Sequence, residues 1–165
     1  MRTVEVGPVL STLFSELVDG ANNPGNAFIL NSGDVGLTRS LDKLSPTDAS
    51  RSVNDGATIA AHAQHLRYGL SLMNRWAIEG GNPFANAKWD AAWQTSRVNA
   101  GQWDEIRRGL RDEARRWLAV LASPRTTTSA ELSGMIGSIG HLAYHLGAIR
   151  QIDKSSRGPK EGNFG

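Results

Sequence analysis

The chain has 165 residues, 39% of them hydrophobic and 21% charged, with a formal charge of +2. That is an ordinary globular profile, long enough to bury a core without staples, and its near-balance of charge gives little general attraction to nucleic acid or to an acidic membrane. There is no cysteine, which excludes disulfides, thiolate zinc sites, thiol nucleophiles and iron–sulfur clusters.

Pro8 suits a first helical turn, and Val9, Leu10, Leu13, Phe14, Leu17 and Val18 recur at helical spacing, so a helix is predicted over residues 8–19. Gly20 and the run NNPGN end it. Gly, Asn, Pro, Ser and Asp punctuate residues 21–57; a short helix is expected at 36–44 and a loop through SPTDASRSVNDG. Thr58 is placed to cap a long helix over 58–78. Its seam is Ile59, His62, Leu66, Gly69, Met73 and Trp76, with His65, Tyr68 and Leu72 on the stripe beside it. EGGNP breaks that helix, and 88-KWDAAWQTSRV-98, with Trp89 and Trp93 one turn apart, predicts a short half-buried helix.

Asn99 with Gln102 resembles a capping box ahead of a third long helix over 102–121. Its apolar stripe is Trp103, Ile106, Leu110, Ala114, Trp117 and Leu121. On the other face Asp104 precedes Arg107 and Arg108, and Asp112 precedes Arg115 and Arg116, which predicts ion pairs along a solvated surface rather than a nucleic-acid patch. A fourth long helix is expected from Ser129 to about Ile152, followed by a mobile polar tail over 153–165. Four long amphipathic helices with no alternating strand predict an all-α bundle, one domain over 1–152, with long connections and short extra helices. No run approaches the ~18 apolar residues of a membrane span. The opening residues hold no apolar core of signal-peptide length, so a cytoplasmic protein is expected.

The four histidines fall in two pairs, His62 with His65 and His141 with His145. Positions i and i+4 share a helix face, so His141 and His145 can aim both imidazoles at one ion. A third ligand would come from the second long helix, as His65 or His62. Three imidazoles with open positions for water make the ligand set of a catalytic metal site. Gly134, Ser138 and Ala148 on the same face are small and leave room for an ion and a ligand. Imidazole suits Zn, Ni, Fe or Cu alike.

The stretches 58-TIAAHAQHL-66 and 141-HLAYHLGAIRQI-152, with 28-FILNSGDVGLTRSLDKLS-45 between the first two long helices, resemble the DinB-like (YfiT-like) superfamily of metal-binding four-helix bundles. The likeness covers most of residues 8–152. It implies a divalent transition metal, Zn or Ni before Fe, held by His65, His141 and His145, with His62 beside them as a neighbour or alternative ligand. It also implies a homodimer. Ala148 stands where many members carry Gln, which leaves that position without a polar group. Members with known activity include thiol-dependent S-transferases and metal-dependent isomerases or hydrolases. The function expected is therefore metal-dependent hydrolysis or thiol S-transfer on a small molecule; the alternative is a non-catalytic, stress-related metal- or ligand-binding bundle.

Tyr68 and Tyr144 lie near the ligand positions and are candidate pocket residues, although a helix tyrosine more often packs with its hydroxyl at the rim. Arg67 and Arg150 fit salt bridges better than substrate contacts. Asp153 fits a solvated helix end better than a partner for a ligand histidine. Trp89 and Trp93 could wall a pocket, but fit a cover over the bundle better. No Ser-His-Asp arrangement is evident, and 33-GDVG-36 lacks the lysine of a phosphate loop.

Overall fold

In the computed structural model residues 3–22, 25 and 27–160 are described, with side chains from Val6 onward. Every α-helix and turn among them agrees with an all-α fold, and no strand occurs among the described residues. The helices are α1 (Thr3–Asp19), α2 (Gly36–Asp42), α3 (Pro46–Ala49), α4 (Ile59–Glu79), α5 (Trp89–Trp93), α6 (Ala100–Ala122) and α7 (Ser129–Ile152), then a 3-10 turn at Lys154–Ser156. No helix among the described residues is long and apolar enough to cross a membrane. The chain forms two compact units, one of residues 1–43 with 121–165 and one of residues 44–120.

In the first unit α1 packs on α2 and α7. Leu10, Phe14, Leu17 and Val18 of α1, Leu37 and Leu41 of α2, and Met135, Ile139, Leu142, Leu146 and Ile149 of α7 are buried. Removing such side chains from water is the main stabilising term, about 1.5–3 kcal/mol for each large one. α1 starts earlier than residue 8 and carries Pro8 inside it. At the sixth helical position it lies past the first turn, so it removes one rung of the hydrogen-bond ladder, the one to the carbonyl of residue 4. Gly20 (φ +100°) and Gly36 (φ +73°) pass so close that a Cβ on either would strike the other's backbone region. Buried Glu16 pins the following segment by accepting from the backbone N–H groups of Phe28 (3.1 Å), Ile29 (2.8 Å) and Leu30 (2.6 Å). Of the run NNPGN predicted to break the first helix, residues 23, 24 and 26 lie outside the described residues.

In the second unit Thr58 caps α4 as expected, accepting from Ala61 N at 3.2 Å, and Gly80 closes it at φ +71°. The predicted loop SPTDASRSVNDG begins instead with α3. Ser45 and Asp48 form a reciprocal capping box around Pro46 at the first helical position. The Asn99–Gln102 box is present, with both bonds at 2.9 Å. Trp103 is buried and donates Nε1–H to the Leu44 carbonyl at 2.9 Å. Asn74 of α4 ties to Glu113 of α6 through its side-chain amide, at 3.0 Å to the carbonyl and 2.7 Å to the carboxylate. The ion pairs of Asp104 with Arg107 (3.3 Å) and Arg108 (2.9 Å) are those expected, whereas Arg116 pairs with Glu113 at 3.3 Å rather than with Asp112.

Thr128, one residue before the predicted start, caps α7 in a box with Glu131. The Glu131 carboxyl sits below its usual range because the backbone and side chain of Thr128 donate to it. Asp153 is buried rather than solvated. It accepts from Ser155 N at 2.8 Å and from Ser155 Oγ at 2.6 Å, so it caps the 3-10 turn that opens the predicted tail. Of that tail, residues 161–165 lie outside the described residues.

Candidate metal centre

In the second unit α4 carries two of the four histidines, and α5 packs on it. His62 and His65 are both buried in the N-terminal half of α4. The Trp93 ring stacks on His65 (centroids 4.2 Å, planes 24° apart) and meets His62 edge-on at 5.2 Å. Trp89 lies against His65 at 5.3 Å and against Tyr68 at 5.5 Å. The two tryptophans of α5, one turn apart, thus clamp the imidazole of His65 and limit its rotation. Tyr68 is half-buried and its hydroxyl accepts from Lys88 N at 2.9 Å, so it holds the start of α5. Arg67 pairs with Glu105 at 3.3 Å.

In the first unit α7 carries the other two. One turn apart, His141 and His145 bring their Nε2 atoms to 3.0 Å, so one ring donates and the other accepts. His145 is buried and His141 half-buried. The Tyr144 ring meets His145 edge-on at 5.1 Å but is itself 71% exposed. Ser138 is buried and spends its hydroxyl on the Met135 carbonyl at 2.7 Å. Gly134 and Ala148 are half-buried.

One ring nitrogen from each of His65, His141 and His145 lies within 4.8 Å of the other two. His62 is outside this group, beside Trp93. The donor set could hold a metal ion. Imidazole nitrogens ~2.0–2.1 Å from an ion sit about 2.9 Å apart at a right angle and about 3.3 Å apart at the tetrahedral angle. The 3.0 Å between the α7 imidazoles falls in that interval. Burial pushes the His141 imidazole below its ordinary pKa, and that of His62 likewise, which keeps both rings in the neutral form. A neutral ring is the form that coordinates a metal. Three buried or half-buried imidazoles this close can therefore bind a metal ion.

The sequence favoured a cover over a pocket wall for the two tryptophans and did not show their contact with the imidazoles of α4. The signal was there in the spacing, since Trp89 and Trp93 repeat at the same i, i+4 interval as a helical ligand pair. Arg150 makes a salt bridge, as expected, but with Asp34, which no sequence pattern had singled out. Comparison with family models, curated proteins and solved structures finds no match.

Proposed function

We propose that the chain is a metal-binding helical protein of DinB-like type, in which His65, His141 and His145 hold one divalent transition ion. The convergence of those three ring nitrogens carries this reading. Its four long helices, α1, α4, α6 and α7, have 17, 21, 23 and 24 residues, the lengths a four-helix bundle needs. Zn or Ni, before Fe, suits an all-imidazole set. Three protein ligands leave coordination positions open, as in catalytic rather than structural sites.

An ion there would lower the pKa of a bound water or thiol and so supply a nucleophile for hydrolysis or S-transfer on a small molecule. The chain's own part is to orient His65 by the Trp89 and Trp93 rings and to keep His141 neutral by burial. A non-catalytic binding role is the second reading. It is favoured by one observation: the three-histidine group holds no carboxylate, and so no acidic general base. We also propose a cytoplasmic setting and pairing of two copies, supported by the exposed apolar side chains of Val9, Ile136 and Tyr144; sedimentation at micromolar concentration tests the pairing.

The deciding experiment is elemental analysis of protein purified without a polyhistidine tag or metal column. About one Zn, Ni or Fe per chain is expected, with His141→Ala and His145→Ala each losing it while helical circular dichroism stays nearly unchanged. If metal-free protein takes up none of these ions, or if either variant keeps a full equivalent, the reading is wrong.

A further inference from the structure

The first unit holds a second polar cleft, of about 450 Å³, lined by Asn31, Asp34, Arg150, Gln151, Arg157 and Lys160 among others. At ~100° per residue, Arg150 and Gln151 lie about 140° and 240° round α7 from His145, so the cleft faces away from the imidazoles.

Its charge is arranged unevenly. Arg150 is neutralised by Asp34, with Nη1 at 2.8 Å and Nη2 at 2.7 Å from the two carboxylate oxygens. Arg157 is instead held by neutral acceptors, its Nε donating to the Arg150 carbonyl at 3.1 Å and its Nη2 to Gln151 Oε1 at 3.3 Å. Among the described residues neither Arg157 nor Lys160 has a carboxylate partner. Among the described residues two positive charges thus remain at the cleft, one of them on an exposed guanidinium steadied by two hydrogen bonds.

The backbone around Arg157 makes contacts of its own within the first unit. Ser156 is fully buried and donates Oγ–H to the Asp153 carbonyl at 2.6 Å. Gly158 crosses directly over Asp34, where any Cβ would collide with the carboxylate. A cation held this way loses little freedom when an anion arrives, so more of the Coulomb attraction appears as affinity. The volume falls in the ~300–1,000 Å³ class of small-molecule pockets and exceeds what a bare ion would fill.

We propose that this cleft binds a small organic anion, its carboxylate or phosphate seated on Arg157 and Lys160, with the Asn31 and Gln151 amides beside it. The site is separate from the histidine centre and does not depend on it.

The test is calorimetric titration of the full chain at low salt with succinate and, separately, inorganic phosphate. Saturable one-to-one binding of at least one is expected, and which one binds names the oxyanion. Arg157→Gln should weaken it about tenfold or more, the scale of one lost charge-assisted hydrogen bond. Lys160→Gln, at an exposed side chain whose loss cannot threaten folding, should weaken it measurably. Added salt should weaken it too, while His141→Ala should leave it unchanged. No saturable binding of either anion by the wild type would overturn the proposal. So would unchanged affinity in both Arg157→Gln and Lys160→Gln, or loss of binding in His141→Ala.

Discussion

Replacing Arg150 by methionine should unfold the protein far more easily than replacing the whole ion pair. The Asp34 side chain is 2% exposed and that of Arg150 14%. Arg150→Met keeps most of the buried stem but strands a carboxylate away from water. Removing one partner of a buried pair costs about 3–5 kcal/mol. Here Gly36 N still donates to Asp34 Oδ1 at 2.8 Å, and the neighbouring cleft admits water, so the lower end, about 3 kcal/mol, is expected. The double variant Asp34→Asn with Arg150→Met strands no charge, and a neutral replacement of a buried pair is often close to thermoneutral. It should therefore cost about 1 kcal/mol or less, although it removes more groups. Urea unfolding of the metal-free protein measures both. With a slope of about 2 kcal/mol per molar urea, the single variant should lower the midpoint by about 1.5 M. A loss under about 1 kcal/mol for Arg150→Met would give the pair the worth of a solvated surface bridge and refute the burial argument. A double variant less stable than the single would show that stranded charge is not the cause.

Three other outcomes follow from the histidine cluster. His65→Ala should impair metal retention more than His62→Ala in a competition with a chelator, since only His65 has a nitrogen in the group; the reverse ranking would move the ligand by one helix face. Trp93→Leu should weaken metal affinity by about 10–100-fold, the usual cost of losing a group that orients a ligand, and retention within twofold would show that stacking does not set the ring. The pH dependence has two parts, both read from the lowered pKa values of His141 and His62. Metal affinity should be level down to the lowered pKa of His141 and fall below it as protons compete, so an affinity that stays level through the pH at which the metal-free protein protonates His141 would exclude imidazole ligands. In the metal-free protein the unfolded chain takes up these protons first, at about pH 6.5. Their contribution to stability is then complete above that pH and lost as pH falls through the lowered folded values. His62→Gln should shrink the drop in urea midpoint between pH 7 and 5; an unchanged drop would mean that His62 burial is not coupled to folding.

The long helices were legible because each advertises its face and its ends. Thr58 and Asn99 cap as their side chains require, and the Asp104 pairs form because helical spacing alone brings their partners into reach. The α7 imidazole pair was legible for the same reason, being a property of one helix. What failed to show was local chemistry written with a less familiar letter. SPTD is a capping box with Asp in place of Glu, and it makes α3 where a loop was expected. Non-local partners were harder still. Asp34 and Arg150 are a buried pair separated by 116 positions, and no periodicity links them. Asp153 reads as polar and terminal, yet the turn it caps is what buries it.

This division between local and remote geometry has a consequence for the candidate centre. His141 and His145 are brought to 3.0 Å by α7 alone, so two of the three proposed ligands are in place wherever that helix is formed. The third imidazole comes from α4, far away in sequence, with its ring held by α5. A two-imidazole site on a helix is weak; the third ligand is what makes occupancy report on the folded chain. Binding energy gained through His65 is thus folding energy, and an ion at 100 times its dissociation constant would stabilise the protein by about 2.7 kcal/mol. The clamp of Trp89 and Trp93 on His65 then acts at the one ligand whose position the helix geometry of α7 cannot guarantee. With an ion bound as proposed, that support would fall on the ligand contributed from outside α7.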